Sequence, residues 1–188
     1  MGTTTCMAGV LMAAALISAG HPSVAQDKGK TAAAELAAAS QAALEKLSGS
    51  VQLAKLLTPK AQAILVFPKV TKAGLGVGGQ YGEGSLLKNG TAVGYYKTTG
   101  ASFGLQAGGQ TYGYAMFFMN AKALDDFANA SGFEVGVGPS VVLVDEGMAK
   151  TTTTNTLKDD IYAFVFGQKG LMAGLGIQGN KITKITPK

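Results

Sequence analysis

Ala63-Ile64-Leu65-Val66-Phe67-Pro68-Lys69-Val70, continuing after Thr71 as Lys72-Ala73-Gly74-Leu75-Gly76-Val77-Gly78-Gly79, is where the chain changes its period. The five residues Ala63 to Phe67 form an apolar run too short for a helix and stopped by proline, which reads as a buried strand. The glycines that follow alternate at Gly74, Gly76 and Gly78. Alternate residues of a strand share a face, so this strand has a glycine-lined side that can curl tightly or let another element approach closely. Gly104 and Gly108, Gly136 and Gly138, and Gly174 and Gly176 repeat the pattern, while Phe103, Leu105, Val135 and Val137 supply an apolar layer on the opposite face. Tyr112, Tyr114, Met116 and Phe118 form a bulky stripe suited to filling the space that glycine leaves.

Turn signals divide the region further. Lys88-Asn89-Gly90 is a strong hairpin signal. Gly108-Gly109, Glu146-Gly147, Lys169-Gly170 and Gly179-Asn180 mark further turns. The spacing predicts several short strands in a curved antiparallel β-sheet that closes into a barrel or sandwich. One helix, residues 121–130, interrupts them: Asn120 caps it, Leu124, Phe127 and Ala128 form its stripe, and Gly132 lies just past its end. Such a helix covers a sheet face or plugs an open barrel end.

Working back from Ala63, Asp27 to about Leu57 is rich in Ala, Leu, Glu, Lys and Gln, with Ser48-Gly49-Ser50 as a break, and predicts two helices. Leu36, Ala43, Leu44 and Leu47 fall on one face of the first, with Glu45 and Lys46 off it. That face is mostly alanine and the polar side carries few lysines, so the helix is expected to pack on the sheet and not to lie on a membrane surface. Thr58-Pro59 offers a cap and a first-turn proline. The fold class is therefore α+β, with residues 26–62 helical and residues 63–188 mostly β.

Residues 1–25 run from a polar start through the apolar stretch Met7 to Ala19 and end in Ser23-Val24-Ala25, the outline of a secretory signal peptide cleaved before Gln26. No Lys or Arg precedes the apolar run. Cys6 stands before that run, whereas a lipoprotein anchor needs a cysteine at its end. About 160 residues then remain, enough for one domain that buries roughly 70% of its unfolded surface.

Loss of the leader removes the only Cys and the only His, and the chain has no Trp and no Arg. Cys/His zinc sites, cysteine nucleophiles, Ser-His-Asp triads, histidine bases and disulfides each then lack a required residue. Catalytic residues, metal ligands and a cofactor are accordingly expected to be absent, and no G-x-S-x-G or S-x-x-K motif occurs. Gly74 to Gly79 fits G-x-G-x-x-G, but Tyr81-Gly82-Glu83-Gly84 follows and cannot open the helix that a dinucleotide site requires. Asp125-Asp126, Asp145-Glu146 and Asp159-Asp160 are adjacent pairs, whose side chains do not converge on a helix or a strand. They read as solvated faces. Lys150 and the run Thr151 to Thr154 read as an exposed edge strand with a lysine guard.

The net charge of +5 rests entirely on lysine. An exported basic protein meets anionic lipid headgroups before it meets nucleic acid, so no nucleic-acid partner is expected. Lys69 and Lys72 flank the expected turn after Phe67-Pro68, and Lys88 and Lys169 sit at expected hairpin tips. Tips can share one rim, where each lysine adds about 1 kcal/mol near an anionic membrane, less as salt rises. These four are the candidate lipid-binding residues; scattered solvated lysines are the competing reading.

The segment Ile64 to Val70 leading into Lys72 to Gly79, then Gly82-Glu83-Gly84, Ala101 to Gly108 and Gly170-Leu171-Met172-Ala173-Gly174, in this order, resembles the SYLF-domain family over roughly Ala32 to Ile185, and most closely its bacterial exported members. The resemblance implies lipid binding: eukaryotic members bind phosphoinositides, some through an N-terminal amphipathic helix, and a fungal branch binds actin. What it implies here is a non-catalytic lipid-binding module docking on anionic phospholipid surfaces in the cell envelope, in the periplasm and peripherally attached to a membrane. A periplasmic protein-interaction or envelope-stress scaffold and an outer-membrane β-barrel are the alternatives.

Overall fold

A computed structural model of the chain describes residues 1–2, 24–130, 132–134, 141–144, 159–170 and 180–188. It is α+β. Helices α1 (Val24–Ser50) and α2 (Gln52–Leu57) precede β1 (Ala63–Lys88) and β2 (Thr91–Phe118), followed by α3 (Ala121–Asn129), β3 (Phe133–Glu134), β4 (Val141–Val144), β5 (Ile161–Gly170) and β6 (Lys181–Ile185). The described strands make one six-stranded sheet in the order β3-β6-β2-β5-β4, with β1 on β2. None of the described helices is long and apolar enough to cross a membrane.

In place of several short strands, β1 and β2 are 26 and 28 residues long. Drawn straight at ~3.3 Å per residue, such a strand would run roughly 85 Å, far beyond a domain whose radius of gyration should be ~16 Å. The pair bends instead. Residues 63–75 of β1 pair with 107–118 of β2, and residues 77–88 pair with 91–103, with a register shift between Leu75 and Val77. At the bend Gly74 is pressed against its own strand, where a Cβ would lie 2.8 Å from the Val77 oxygen. Beyond it Gly82 comes back onto Lys69 and Val70, and Gly84 onto Val66 and Phe67. Glycine thus curls the sheet into a half-barrel.

Two expected breaks lie inside strands. Pro68 does not end β1, because a register shift between Phe67 and Val70 absorbs it, a bulge being where a strand tolerates a residue without an N–H. Gly108 and Gly109 make no turn; they pair with Gly74 and Ala73 in mid-ladder. The predicted hairpin at Asn89-Gly90 is present, with both residues at positive φ (50° and 77°) and Lys88 opposite Thr91, as a two-residue type I′ connection requires. The sheet is mixed and not wholly antiparallel, since β4 runs parallel to β5. A tight hairpin cannot join parallel strands. Glu146-Gly147, Asp145, Lys150 with the threonine run, Val135 to Gly138, and Gly174, Gly176 and Gly179 lie outside the described residues, as do the side chains of Phe103 and Leu105.

The sheet buries both faces. Leu65, Phe67, Val70, Tyr112, Tyr114, Met116 and Phe118 line the inside of the curl, the expected aromatic stripe included. Ile64, Val66, Ala115, Phe117 and Phe164 face outward, beneath Leu47, Leu53, Ala54 and Leu57 of the helices. Ser40 on α1 donates to the Val66 carbonyl (3.3 Å), and Gln41 donates to the Gly90 carbonyl (2.6 Å), tying the hairpin tip to the helix. The α1/α2 break falls just after Ser48-Gly49-Ser50, at the extended Val51. Thr58 is the C-cap of α2 and not the cap of a new helix, its hydroxyl donating to the Ala54 carbonyl (2.8 Å), and residues 58–60 form the expected short turn.

The inserted helix α3 plugs one end of the curl. Its Phe127 ring meets Tyr96, Phe118 and Phe133 at centroid distances of 4.9, 4.9 and 5.3 Å. Asn120 caps it as expected, accepting from the Ala123 N–H at 2.8 Å. The buried stripe is Ala123 and Phe127, with Leu124 half-buried; Ala128 is exposed.

Candidate functional site

Two irregularities on either side of β2 shape the candidate site. On one side is the β1 bulge carrying Pro68 and Lys69. On the other, β5 shifts register between the pairs Thr111–Lys169 and Gly113–Phe166, with Gly167 at φ 61° supplying the left-handed residue. Gly113 accommodates the Phe166 ring, whose Cδ2 would lie 2.9 Å from any Cβ placed there.

Between the bulges and α1 lies a pocket of about 420 Å³, lined by Ala43 and Lys46 of α1, Pro68 and Lys69 of β1, Thr111, Tyr112 and Gly113 of β2, and Phe166, Gly167 and Lys169 of β5. Three lysines from three separate elements line it, and among the described residues no carboxylate does. Pro68, Ala43 and Phe166 add apolar side chains to a lining that is more polar than apolar, so it suits an anionic group first and an apolar body second.

The four lysines singled out by sequence are divided by the structure. Lys69 and Lys169 line the pocket. Lys72 does not share that rim: it is 5% exposed and stands opposite Gln110, two residues beyond the inward-facing Val70. Lys88 is exposed at the β1/β2 tip and does not line the pocket. Lys46 is the residue that sequence missed. It lies off the apolar face of α1, beside the Pro68 bulge, and no local pattern discloses such a contact.

The other polar groups are structural. Tyr112 donates to Gln80 Oε1 (2.9 Å); burial pushes its hydroxyl up to about 12 despite that bond. Burial raises Tyr114 further, with Tyr112 adding to it. Neither is a proton donor or acceptor for chemistry near neutral pH. Asp126 pairs with Lys122 at 2.6 Å. Asp159 and Asp160 are not free solvated carboxylates: Asp159 accepts from Tyr162 (3.3 Å) and Asp160 from Asn120 (2.6 Å). Among the described residues no group of three potential ligands is placed to hold a metal.

No curated protein matches the chain. A family model does: residues 99–186 match Ysc84, described as Las17-binding protein actin regulator. The match runs from the middle of β2 to just past β6, so it takes in the pocket residues of β2 and β5 and leaves out those of α1 and β1. The family is a binding-type one, and the match of residues 99–186 to it is consistent with the SYLF-domain resemblance of the sequence.

Proposed function

We propose that the protein is a non-catalytic module that docks on anionic phospholipid surfaces of the cell envelope, exported by the leader over residues 1–25. The observation that carries this reading is the convergence of Lys46, Lys69 and Lys169 on one largely polar pocket that has no carboxylate among its described lining residues. Near an anionic membrane each lysine contributes about 1 kcal/mol, or about fivefold in affinity. The net charge of +5 adds a long-range attraction of the same sign.

The outer-membrane barrel is the weaker alternative, because the outward face of the sheet at Ile64, Val66 and Phe117 is covered by α1 and α2 instead of being free to meet lipid. A protein-contact scaffold has support in the family's description, which names a protein target for other members.

Sedimentation with phosphatidylglycerol or cardiolipin vesicles tests the proposal, and binding should weaken as salt rises. Equal binding to phosphatidylcholine vesicles, or none to either, overturns it. Capture of protein partners that is indifferent to added lipid would favour the scaffold. Recovery of the mature chain from a periplasmic fraction tests the export step.

A further inference from the structure

Two of the lysines that line the pocket stand on strands that are not neighbours. β1 and β5 flank β2 on opposite sides, and adjacent strands lie ~4.8 Å apart, so the backbones that carry Lys69 and Lys169 are about 10 Å apart across β2. They are also staggered along it. Lys169 opposes Thr111, whereas Lys69 falls in the bulge between the pairs Phe67–Tyr114 and Val70–Tyr112, beside Gly113. Thr111, Tyr112 and Gly113 form the floor between these two walls, and Lys46 of α1 lines a third side.

All three lysines are exposed, and none is ion-paired among the described residues, where the one pair joins Lys122 to Asp126. An ammonium donates and cannot accept, so the pocket calls for anionic acceptors at two separated places. Its volume of about 420 Å³ falls within the roughly 300–1,000 Å³ of sites that hold a whole small molecule, and is more than a single phosphate group fills. A phosphatidylglycerol headgroup brings one phosphodiester to one wall. Serving both walls then requires two lipids gathered from the bilayer. Two phosphates joined in one molecule arrive together, the second at the high effective concentration that the link provides.

We infer that the pocket takes one headgroup in which two phosphodiesters are joined through a short polyol, the cardiolipin class of lipid. Lys69 holds one phosphate, Lys169 the other, and Lys46 supplies the third cation. The assignment rests on the docking reading given above and names the headgroup that docking selects.

Vesicles matched in surface charge isolate the pairing of the phosphates: phosphatidylcholine with a given fraction of cardiolipin, against phosphatidylcholine with twice that fraction of phosphatidylglycerol. The protein should bind the cardiolipin vesicles at least about fivefold more tightly, the gain of one further lysine contact. Lys69→Met and Lys169→Met should each bring the two vesicles level. Both side chains are exposed, and the melting temperatures of these variants should match the wild type. Lys88→Met, outside the pocket, should keep the preference. Equal binding of the wild type to the charge-matched vesicles overturns the paired-phosphate site and leaves the docking reading standing; binding to neither overturns both. A preference that survives in the two lysine variants also overturns the site. So does an equal preference for phosphatidic acid at matched charge, since that lipid carries its charges on a single phosphate. The water-soluble headgroup of cardiolipin, stripped of its acyl chains, should compete with the vesicles. If it raises the melting temperature while cardiolipin vesicles do not bind, the ligand is a soluble molecule and the lipid assignment is overturned.

Discussion

Gly84 rests on the backbone of Val66, although both belong to β1: a methyl group at Gly84 would lie 2.8 Å from the Val66 carbonyl carbon and 2.7 Å from the Phe67 ring. Backbone cannot move aside as a side-chain tip can. The curl of the half-barrel therefore depends on this contact and on its neighbour, where a Cβ on Gly82 would meet the Lys69 oxygen at 2.9 Å.

Gly84→Ala should consequently destabilise by at least about 3 kcal/mol, the upper part of the usual range for overpacking. Gly90→Ala is the informative comparison. Gly90 has open space around it and a φ of 77°, so an alanine there meets only the left-handed penalty of about 1–2 kcal/mol. Urea denaturation of the two variants should separate the costs. Comparable losses would mean that the curl relaxes and that glycine is not what permits it.

The pocket makes a prediction about charge. Lys46→Met, Lys69→Met and Lys169→Met should each weaken binding to phosphatidylglycerol vesicles about fivefold at low ionic strength, by the loss of about 1 kcal/mol apiece. Lys88→Met, at the tied-down hairpin tip, should change it less. Equal effects from all four would mean that the vesicle senses net charge alone.

What the sequence discloses here follows the range of each interaction. The 3.6 and 2 periods place α1, α2, α3 and the start of β1, and the Asn89-Gly90 turn and the Asn120 cap are read correctly, because each is decided by neighbouring residues. The bulge at Pro68 and the glycine corner at Gly74 look locally like ends of strands. They are bends within a strand, and only the return of Gly82 and Gly84 onto residues 66–70 distinguishes the two. The lysines show the same limit. Lys69 and Lys169 are identified by their turn-like surroundings, whereas Lys46 joins them only through helix-to-sheet packing, and Lys72 leaves them because the strand continues where a turn was expected.

Alkaline pH should unfold the protein through its buried tyrosines. The Tyr112 hydroxyl is pushed from its ordinary value of 10.0 to about 12 by burial, so the folded state holds that proton more tightly than the unfolded chain does. Stability from this source is fully present below pH 10 and is lost as pH rises through about 12. Tyr114 shifts in the same direction. Tyrosinate absorbance should therefore rise together with loss of structure. Tyr114→Phe should carry the transition to higher pH and, because that hydroxyl is buried with no partner among the described residues, should be neutral or stabilising by about 1 kcal/mol near pH 7.

The plug at the end of the half-barrel is held in two ways that mutation can separate. Phe127 sits among Tyr96, Phe118 and Phe133 and is 3% exposed, so Phe127→Ala should cost about 3–5 kcal/mol as a core truncation. Asn120 acts locally: its Oδ1 caps Ala123 and its Nδ2 donates to Asp160, joining the helix start to the entry of β5. Asn120→Asp should keep the cap but set a second carboxylate against Asp160, whereas Asn120→Ala loses both bonds and should cost about 1–2 kcal/mol. If the cap alone matters, the aspartate variant will match the wild type; if the Asp160 bond matters, it will be less stable near pH 7 and recover as the carboxylates protonate in acid. Hydrogen exchange on the α3 amides, read beside global denaturation, then decides whether the helix opens by itself or only together with the sheet it closes.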